Sequence, residues 1–265
     1  MIPDIETVTR IMRETAAEEI LPRFRHLSAA DVFEKKPGDL VTAADYAAEA
    51  RLSTALTNLV PGSRVVGEEM TDADPAILDS LSGEAPVWIV DPVDGTQNFA
   101  DGKACFVVIV ALYQNGETVA GWIHDPIEDT TAAAVAGQGA WIDGRRLRLP
   151  PPPPLGEMHG TLTRPLRNRL QGRAGPGPSH FVRYFCTGRE YMDLALGKLH
   201  LGQYTRLKPW DHAAGVLLHR EAGGVAGLTP DCTPYDPGLG IQSATLLMAP
   251  DRATWDFLHA AYADR

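Results

Sequence analysis

One stretch constrains the fold more than any other: Trp88-Ile89-Val90-Asp91-Pro92-Val93-Asp94-Gly95-Thr96. Val87 to Val90 is a compact apolar run that ends abruptly on two carboxylates around a proline. A strand buried on both faces and stopping on acids predicts a sheet whose strand ends open into a polar crevice, where open α/β sheets place ligands. Pro92 fixes its own φ and lacks an amide donor, so the spacing predicts a tight turn with Asp91 and Asp94 on its two arms. That turn points the Val93 carbonyl inward. It also frees the N–H groups of Gly95 and Thr96 at the start of whatever helix follows, a position that favours an anion.

Around this run the pattern alternates helix and strand. Ile5, Val8, Met12, Ala16 and Ile20 recur at helical spacing after Asp4, predicting an amphipathic helix over residues 4–21 that Pro22 ends. Thr42 with Asp45 three residues later resembles a capping box, opening a helix that Pro61-Gly62 stops. Strands are expected over 64–67, 106–113, 119–123, 131–135, 140–142, near 181–185 and over 246–249. Helices are expected near 189–196, from Asp211 to Gly223-Gly224 and over 252–263. Five prolines, Pro150 to Pro154, read as a stiff spacer. They divide the chain into an α+β half (1–149), a linker (150–156) and an α/β half (157–265), within the 100–200 residues per domain that is roughly usual.

Composition narrows the function. Twenty-four Lys and Arg against thirty-four Asp and Glu leave a net charge of −10, without a basic run longer than a pair. Nucleic-acid and anionic-membrane partners are not expected. The longest apolar run, Phe106 to Tyr113, is far short of the ~18 residues a membrane span needs. In the N-terminal segment Ile5, Val8 and Ile11 are interleaved with Glu6, Arg10 and Arg13, unlike an export signal. The three cysteines, Cys105, Cys186 and Cys232, have no C-x-x-C spacing and read as reduced thiols, so a cytoplasmic location is expected.

Three acidic sites share one character: Glu68-Glu69 after a strand, Asp91 and Asp94 at the end of another, and Asp211 at a helix start. Singly, each has a structural explanation as loop, turn or cap. His212 and His219 read as surface or core residues rather than ligands. Converging carboxylates would repel one another unless cations neutralised them, and an oxygen-only donor set selects Mg²⁺ first and Mn²⁺ second. Beside amides placed for an anion, that combination predicts metal-assisted hydrolysis of a phosphate monoester.

Gly67-Glu68-Glu69, the run W-I-V-D-P-V-D-G-T-Q-N-F from Trp88 to Phe99, and L-K-P-W-D-H-A-A-G with E-A-G-G between Leu207 and Gly224 resemble the signatures of the inositol monophosphatase family. D-L-V-T-A-A-D from Asp39 to Asp45 and the hairpin sequence Gly137 to Leu147 resemble it too. The resemblance implies a layered αβαβα sandwich, a Mg²⁺-dependent and lithium-sensitive phosphatase with two or three ions, a small phosphorylated metabolite as substrate, and a homodimer. Carried over by position, Glu68, Asp91 and the Val93 carbonyl would hold the first ion, and Asp91, Asp94 and Asp211 the second. Gly95 and Thr96 would contact phosphate, Thr96 and Asp45 would orient and deprotonate the attacking water, and Glu69 would support the shell.

The chain departs from the family where specificity is set. Phe185-Cys186-Thr187-Gly188 stands where inositol-specific members carry a small-residue stretch, and Tyr204 replaces an acid that binds substrate hydroxyls. Losing that acceptor and gaining an aromatic face favours a substrate other than inositol 1-phosphate: histidinol phosphate, a sugar phosphate or bisphosphate, or a nucleotide phosphate. Lys103, Arg189 and Arg206 are the expected cations for a second phosphate. A catalytically weak binding member of the family is the competing reading.

Overall fold

The computed structural model describes residues 2–170, 178 and 180–263. Helix α1 (Ile5–Thr15) opens where the Asp4 carboxylate accepts from the Thr7 amide at 3.0 Å, and it runs on as a π-helical turn, Ala16–Ile20. A charged hairpin of β1 (Val32–Lys36) and β2 (Asp39–Thr42) leads into α2 (Ala43–Leu59). Then follow β3 (Arg64–Gly67), α3 (Glu68–Ala73), β4 (Val87–Asp94) and α4 (Thr96–Ala100). A meander of β5 (Val107–Gln114), β6 (Glu117–Asp125), β7 (Thr130–Val135), β8 (Gly139–Ile142) and β9 (Arg145–Leu147) completes a seven-stranded sheet in the order β3-β4-β5-β6-β7-β8-β9. Only β3 and β4 pair in parallel within it.

Just before the proline run, the Leu149 amide donates to the Ala222 carbonyl at 2.8 Å. The remaining elements are β10 (His159–Thr161), α5 (Arg164–Leu170), β11 (His180–Phe181), α6 (Thr187–Ala195), β12 (Leu201–Tyr204), α7 (Pro209–Glu221), β13 (Val225–Thr229), β14 (Thr245–Ala249) and α8 (Arg252–Ala263). The five strands form a second sheet, ordered β11-β10-β12-β14-β13.

Strand alternation sorts the core into layers. On β4, Trp88 and Val90 pack with Val8, Met12, Ala48 and Leu52 of α1 and α2, while Val87 and Ile89 pack with Tyr191, Leu194 and Trp210 of α6 and α7. On β14, Leu246 and Met248 join that same α6/α7 seam, and Leu247 and Ala249 turn to Leu166, Trp255 and Leu258 of α5 and α8. The result is the expected α+β layered sandwich: helices, seven-stranded sheet, helices, five-stranded sheet, helices. Each fully buried Val or Leu in these seams contributes roughly 1.5–3 kcal/mol. No helix among the described residues is long and apolar enough to cross a membrane.

The strand expected near 181–185 contracts to two residues. Phe185 has φ 54°, which breaks the extended chain, and the Asn98 amide group donates to the carbonyls of Tyr184 (2.8 Å) and Phe185 (3.3 Å). Such a backbone at a bulky residue is costly and marks a place where the fold overrides local preference.

His219 is wholly buried, its ring paired with the Ala249 carbonyl at 2.9 Å, and burial pushes its pKa down to about 4. Its folded value lies below the unfolded one of about 6.5, so between those values the unfolded chain binds more protons and stability rises with pH. Lowering pH from 7 to 5 is expected to cost the wild-type chain about 2 kcal/mol more than it costs His219→Gln, read as urea unfolding free energies. The comparison is differential because the buried acids Glu49 and Glu190, pushed up to about 7 by burial, contribute an opposite slope to both proteins. Equal pH dependence of the two proteins would refute it.

Candidate active site

β3 and β4 run side by side in the same direction, Gly67 opposite Val90, so Glu68 and Asp91 emerge together at one sheet edge. A Cβ at Gly67 would overlap the Glu49 carboxylate. With glycine there, Glu49 reaches the first turn of α3 and accepts from the amides of Glu69 and Met70, each at 2.9 Å. That clamp orients the Glu68-Glu69 pair.

Asp91 and Asp94 sit not on a tight turn but within β4. The register against β5 runs Asp91 to Ile109 and then Asp94 to Val107, so β4 carries one extra residue, a bulge, between its two aspartates. Residues three apart on a regular strand point to opposite faces; the bulge returns both to the α6/α7 side. There the Asp94 Oδ2 accepts from the Gly188 amide of α6 at 2.6 Å. Helix α7, started by Pro209, delivers Asp211 in its first turn. Carboxylate oxygens of Glu68, Asp91 and Asp211 all lie within 4.8 Å of one another.

Burial pushes the pKa values of Asp91, Asp94 and Asp211 above the ordinary carboxylate range, and the Glu68 charge pushes each further. Relief comes from one side. The Lys208 ammonium lies 2.7 Å from Glu68 Oε1; Lys35 lies 3.6 Å from Glu68, 3.1 Å from Glu69 and 2.7 Å from Asp72. Burial, then the Glu68 charge, raises Glu69 to about 8 despite Lys35. Crowded, desolvated, oxygen-only donors fit a hard divalent cation, which removes the repulsion that buried like charges impose.

Asp45 does two jobs at one carboxylate. Its Oδ2 accepts from the Thr42 amide (2.8 Å) and hydroxyl, the capping box of α2, while Oδ1 faces the Thr96 hydroxyl at 3.2 Å. Burial raises Asp45 to about 6. The Thr96 hydroxyl also lies 3.0 Å from the Val93 carbonyl, which therefore faces the site. Gly95 has φ 94°, and a Cβ there would stand 2.9 Å from the Cys105 carbonyl, so only glycine fits between them.

Next to Asp211 opens a cavity of about 580 Å³, lined by Thr187, Glu190, Tyr204 and Arg206 among others. Tyr204 stacks on Tyr191 with ring centroids 5.2 Å apart, so one of its faces is taken within the protein. Two of the cations expected for a second phosphate lie elsewhere: Arg189 pairs with Asp125 at 2.6 Å and Lys103 with Asp101 at 2.9 Å. His212 and His219 are buried core residues, and His212 pairs with the Tyr191 hydroxyl at 2.8 Å. Sequence reading missed Glu49, Glu190, Lys35 and Lys208. Only Lys208 had a visible signal, lying inside L-K-P-W-D.

The sequence profile of the inositol monophosphatase family matches residues 4–258. The chain belongs to that family. It is 36% identical over 208 residues to an inositol-1-monophosphatase of Mesorhizobium japonicum, covering 72% of each chain. It is 32% identical over 239 residues to the Nus factor SuhB of Pseudomonas aeruginosa, covering 85% of each. Among solved structures, the IMPase of Thermotoga maritima superposes with a TM-score of 0.78 at 22% identity, covering 97% of this chain and 95% of that one, which shows the shared fold. Membership of this family supports a phosphatase activity.

Proposed function

We propose that this member of the inositol monophosphatase family hydrolyses a small phosphate monoester with Mg²⁺ as its cofactor. The observation that carries the reading is the meeting of Glu68, Asp91 and Asp211 beside the Thr96–Asp45 pair. Glu68, Asp91, Asp94, Asp211 and the Val93 carbonyl would hold the metal. Bound there, Mg²⁺ supplies Lewis acidity and lowers the pKa of a water molecule.

The chain's own groups supply the rest. Thr42 engages Asp45 Oδ2, leaving Oδ1 as the atom that receives a proton through the Thr96 hydroxyl. With a pKa near 6, Asp45 is ionised at neutral pH yet basic enough to accept it. The Gly95 and Thr96 amides would hold a phosphate oxygen. Lys35 bridges Glu68 and Glu69, at 3.6 and 3.1 Å, and Glu69 would support the metal-holding acids from there.

Phosphate release from a panel of metabolite monophosphates, with Mg²⁺ and with EDTA, tests this. Turnover is expected only with the metal, and Asp45→Asn is expected to lower kcat about 10²-fold or more at similar KM. Metal-independent release, or full activity in Asp45→Asn, would overturn the reading.

A further inference from the structure

Two of the three cysteines meet beside Asp94. Cys105 lies just before β5, and Cys186 is the N-terminal cap of α6. Their thiols are hydrogen-bonded to each other. The Asn98 side chain holds both segments, donating to the Cys105 carbonyl at 2.9 Å and to the carbonyls of Tyr184 and Phe185. The chain at Gly95 is wedged between the pair: a Cβ there would stand 2.9 Å from the Cys105 carbonyl oxygen and 3.2 Å from the Cys186 Cβ. Cys232 is exposed and has a different neighbour, His259, whose Nε2 lies 3.6 Å from its sulfur.

The two thiols differ in access. Cys186 is 2% exposed, and its sulfur lies 3.5 Å from the Asp94 carbonyl. Cys105 is half-buried and lines a surface cavity of about 270 Å³ together with Asp125, Tyr184 and Arg189. A small oxidant reaches it there. Hydrogen bonding from Cys186 outweighs burial and lowers the Cys105 pKa, with the Arg189 charge acting in the same direction. One reachable thiol that favours its thiolate, backed by a second thiol, is the arrangement of a peroxide-reactive pair.

We infer that Cys105 and Cys186 form an oxidation site, which hydrogen peroxide converts into a disulfide. The Cys105 sulfur attacks one peroxide oxygen: an S–O bond forms, the O–O bond breaks, and the departing hydroxide takes up the thiol proton as water. Cys186 then gives up its proton and attacks the Cys105 sulfur; the S–S bond forms, the S–O bond breaks, and the second hydroxide leaves with that proton as water. The thiols lose two electrons in all, and the peroxide gains them. Closing the bond brings the two Cβ atoms to roughly 4 Å, and the movement falls on the hydrolytic site. It draws the Cys186 sulfur from the Asp94 carbonyl, shifts the first turn of α6, whose Gly188 amide donates to Asp94 Oδ2 at 2.6 Å, and presses on Gly95. Turnover falls. That consequence rests on the phosphatase reading above, whereas the bond itself does not.

The test treats the reduced chain with hydrogen peroxide and maps its peptides. A linked Cys105–Cys186 peptide is expected, with free thiols falling from three to one and returning to three with dithiothreitol. Phosphate release by the linked protein is expected to fall about tenfold or more and to recover on reduction. Cys105→Ser is expected to turn over like the wild type and to keep its activity in peroxide. Cys186→Ala is expected to stop at a Cys105 sulfenic acid, trapped with dimedone; if that variant does not fold, the peptide map and Cys105→Ser decide. Cys232→Ser is expected to link as the wild type does, which separates the internal bond from cross-linking between chains. A map without the link, Cys105 oxidised only to its sulfinic acid, or full turnover in the linked protein overturns the inference. If the reduced wild type hydrolyses nothing with Mg²⁺, the phosphatase reading fails instead, and the linked peptide alone decides the oxidation site.

Discussion

Asp91→Asn is expected to remove at least roughly 10³-fold from kcat and, in EDTA, to make the protein more resistant to heat. The two effects share one cause. Asp91 is 2% exposed, and burial together with the charges of Glu68, Asp94 and Asp211 disfavours its ionised form. Asparagine keeps the shape and still accepts from the Val93 amide, now 3.1 Å from Asp91 Oδ1, while removing one buried charge. Relieving that repulsion should gain about 1–3 kcal/mol of stability without metal. Adding Mg²⁺ reverses the order, because a ligand that binds only the folded chain stabilises it, and the variant has lost an anionic donor. Melting curves of both proteins in EDTA and in excess Mg²⁺, with kcat alongside, check all three parts. A variant that melts lower than wild type in EDTA, or keeps more than a tenth of kcat, would show that Asp91 is held by something other than a cation-seeking acidic cluster.

What the sequence made legible follows the strength of its periodic signals. The long apolar runs of β4 and β5 and the Asp4 and Thr42 caps were readable, because burial and capping leave patterns within a few residues; the helix expected to open at Asp211 instead starts at Pro209 and carries Asp211 in its first turn. The strands β10, β12 and β13 left none: they are three to five residues long and contain Gly160, Gly202 and Gly227. Their extended conformation comes from neighbouring strands, not from local preference. The acids at the site were legible as residue types, and the convergence of Glu68, Asp91 and Asp211 was an expectation from their places at strand ends and a helix start, to which the family resemblance added residue roles. The bulge in β4 was not, since D-P-V-D suits a turn equally well and only pairing with β5 decides between them. Glu49 was hidden for a similar reason: a carboxylate in mid-helix reads as solvated until Gly67 proves to be the space it fills. Of the arginines that line the cavity beside Asp211, Arg206 was expected, whereas Arg164, Arg167 and Arg183 were hidden, because they come from α5 and the segment before α6, far in sequence from the acids they face.

Gly215→Ala, which ordinarily strengthens a helix, is expected to weaken this protein by about 2–3 kcal/mol and lower its Tm by roughly 5–10 °C. Gly215 lies buried within α7, and a Cβ there would overlap the Tyr191 ring of α6. On the sheet side, a Cβ at Gly121 of β6 would stand 2.8 Å from the Ala214 Cα, so α7 cannot retreat toward the strands. The gain from helix propensity is about 1 kcal/mol. Against it stand about 1–3 kcal/mol of overpacking and a similar cost if Tyr191 loses its 2.8 Å hydrogen bond to His212 in the buried seam. Overpacking prevails because neither neighbour can yield. The same displacement reaches the site: Asp211 lies four residues before Gly215 on α7, and Tyr204 stacks on the ring that must move. A fall in kcat/KM should therefore accompany the fall in Tm. An unchanged or higher Tm would mean that Tyr191 turns aside freely, and that the α6/α7 layer joining the two sheets is looser than its glycines imply.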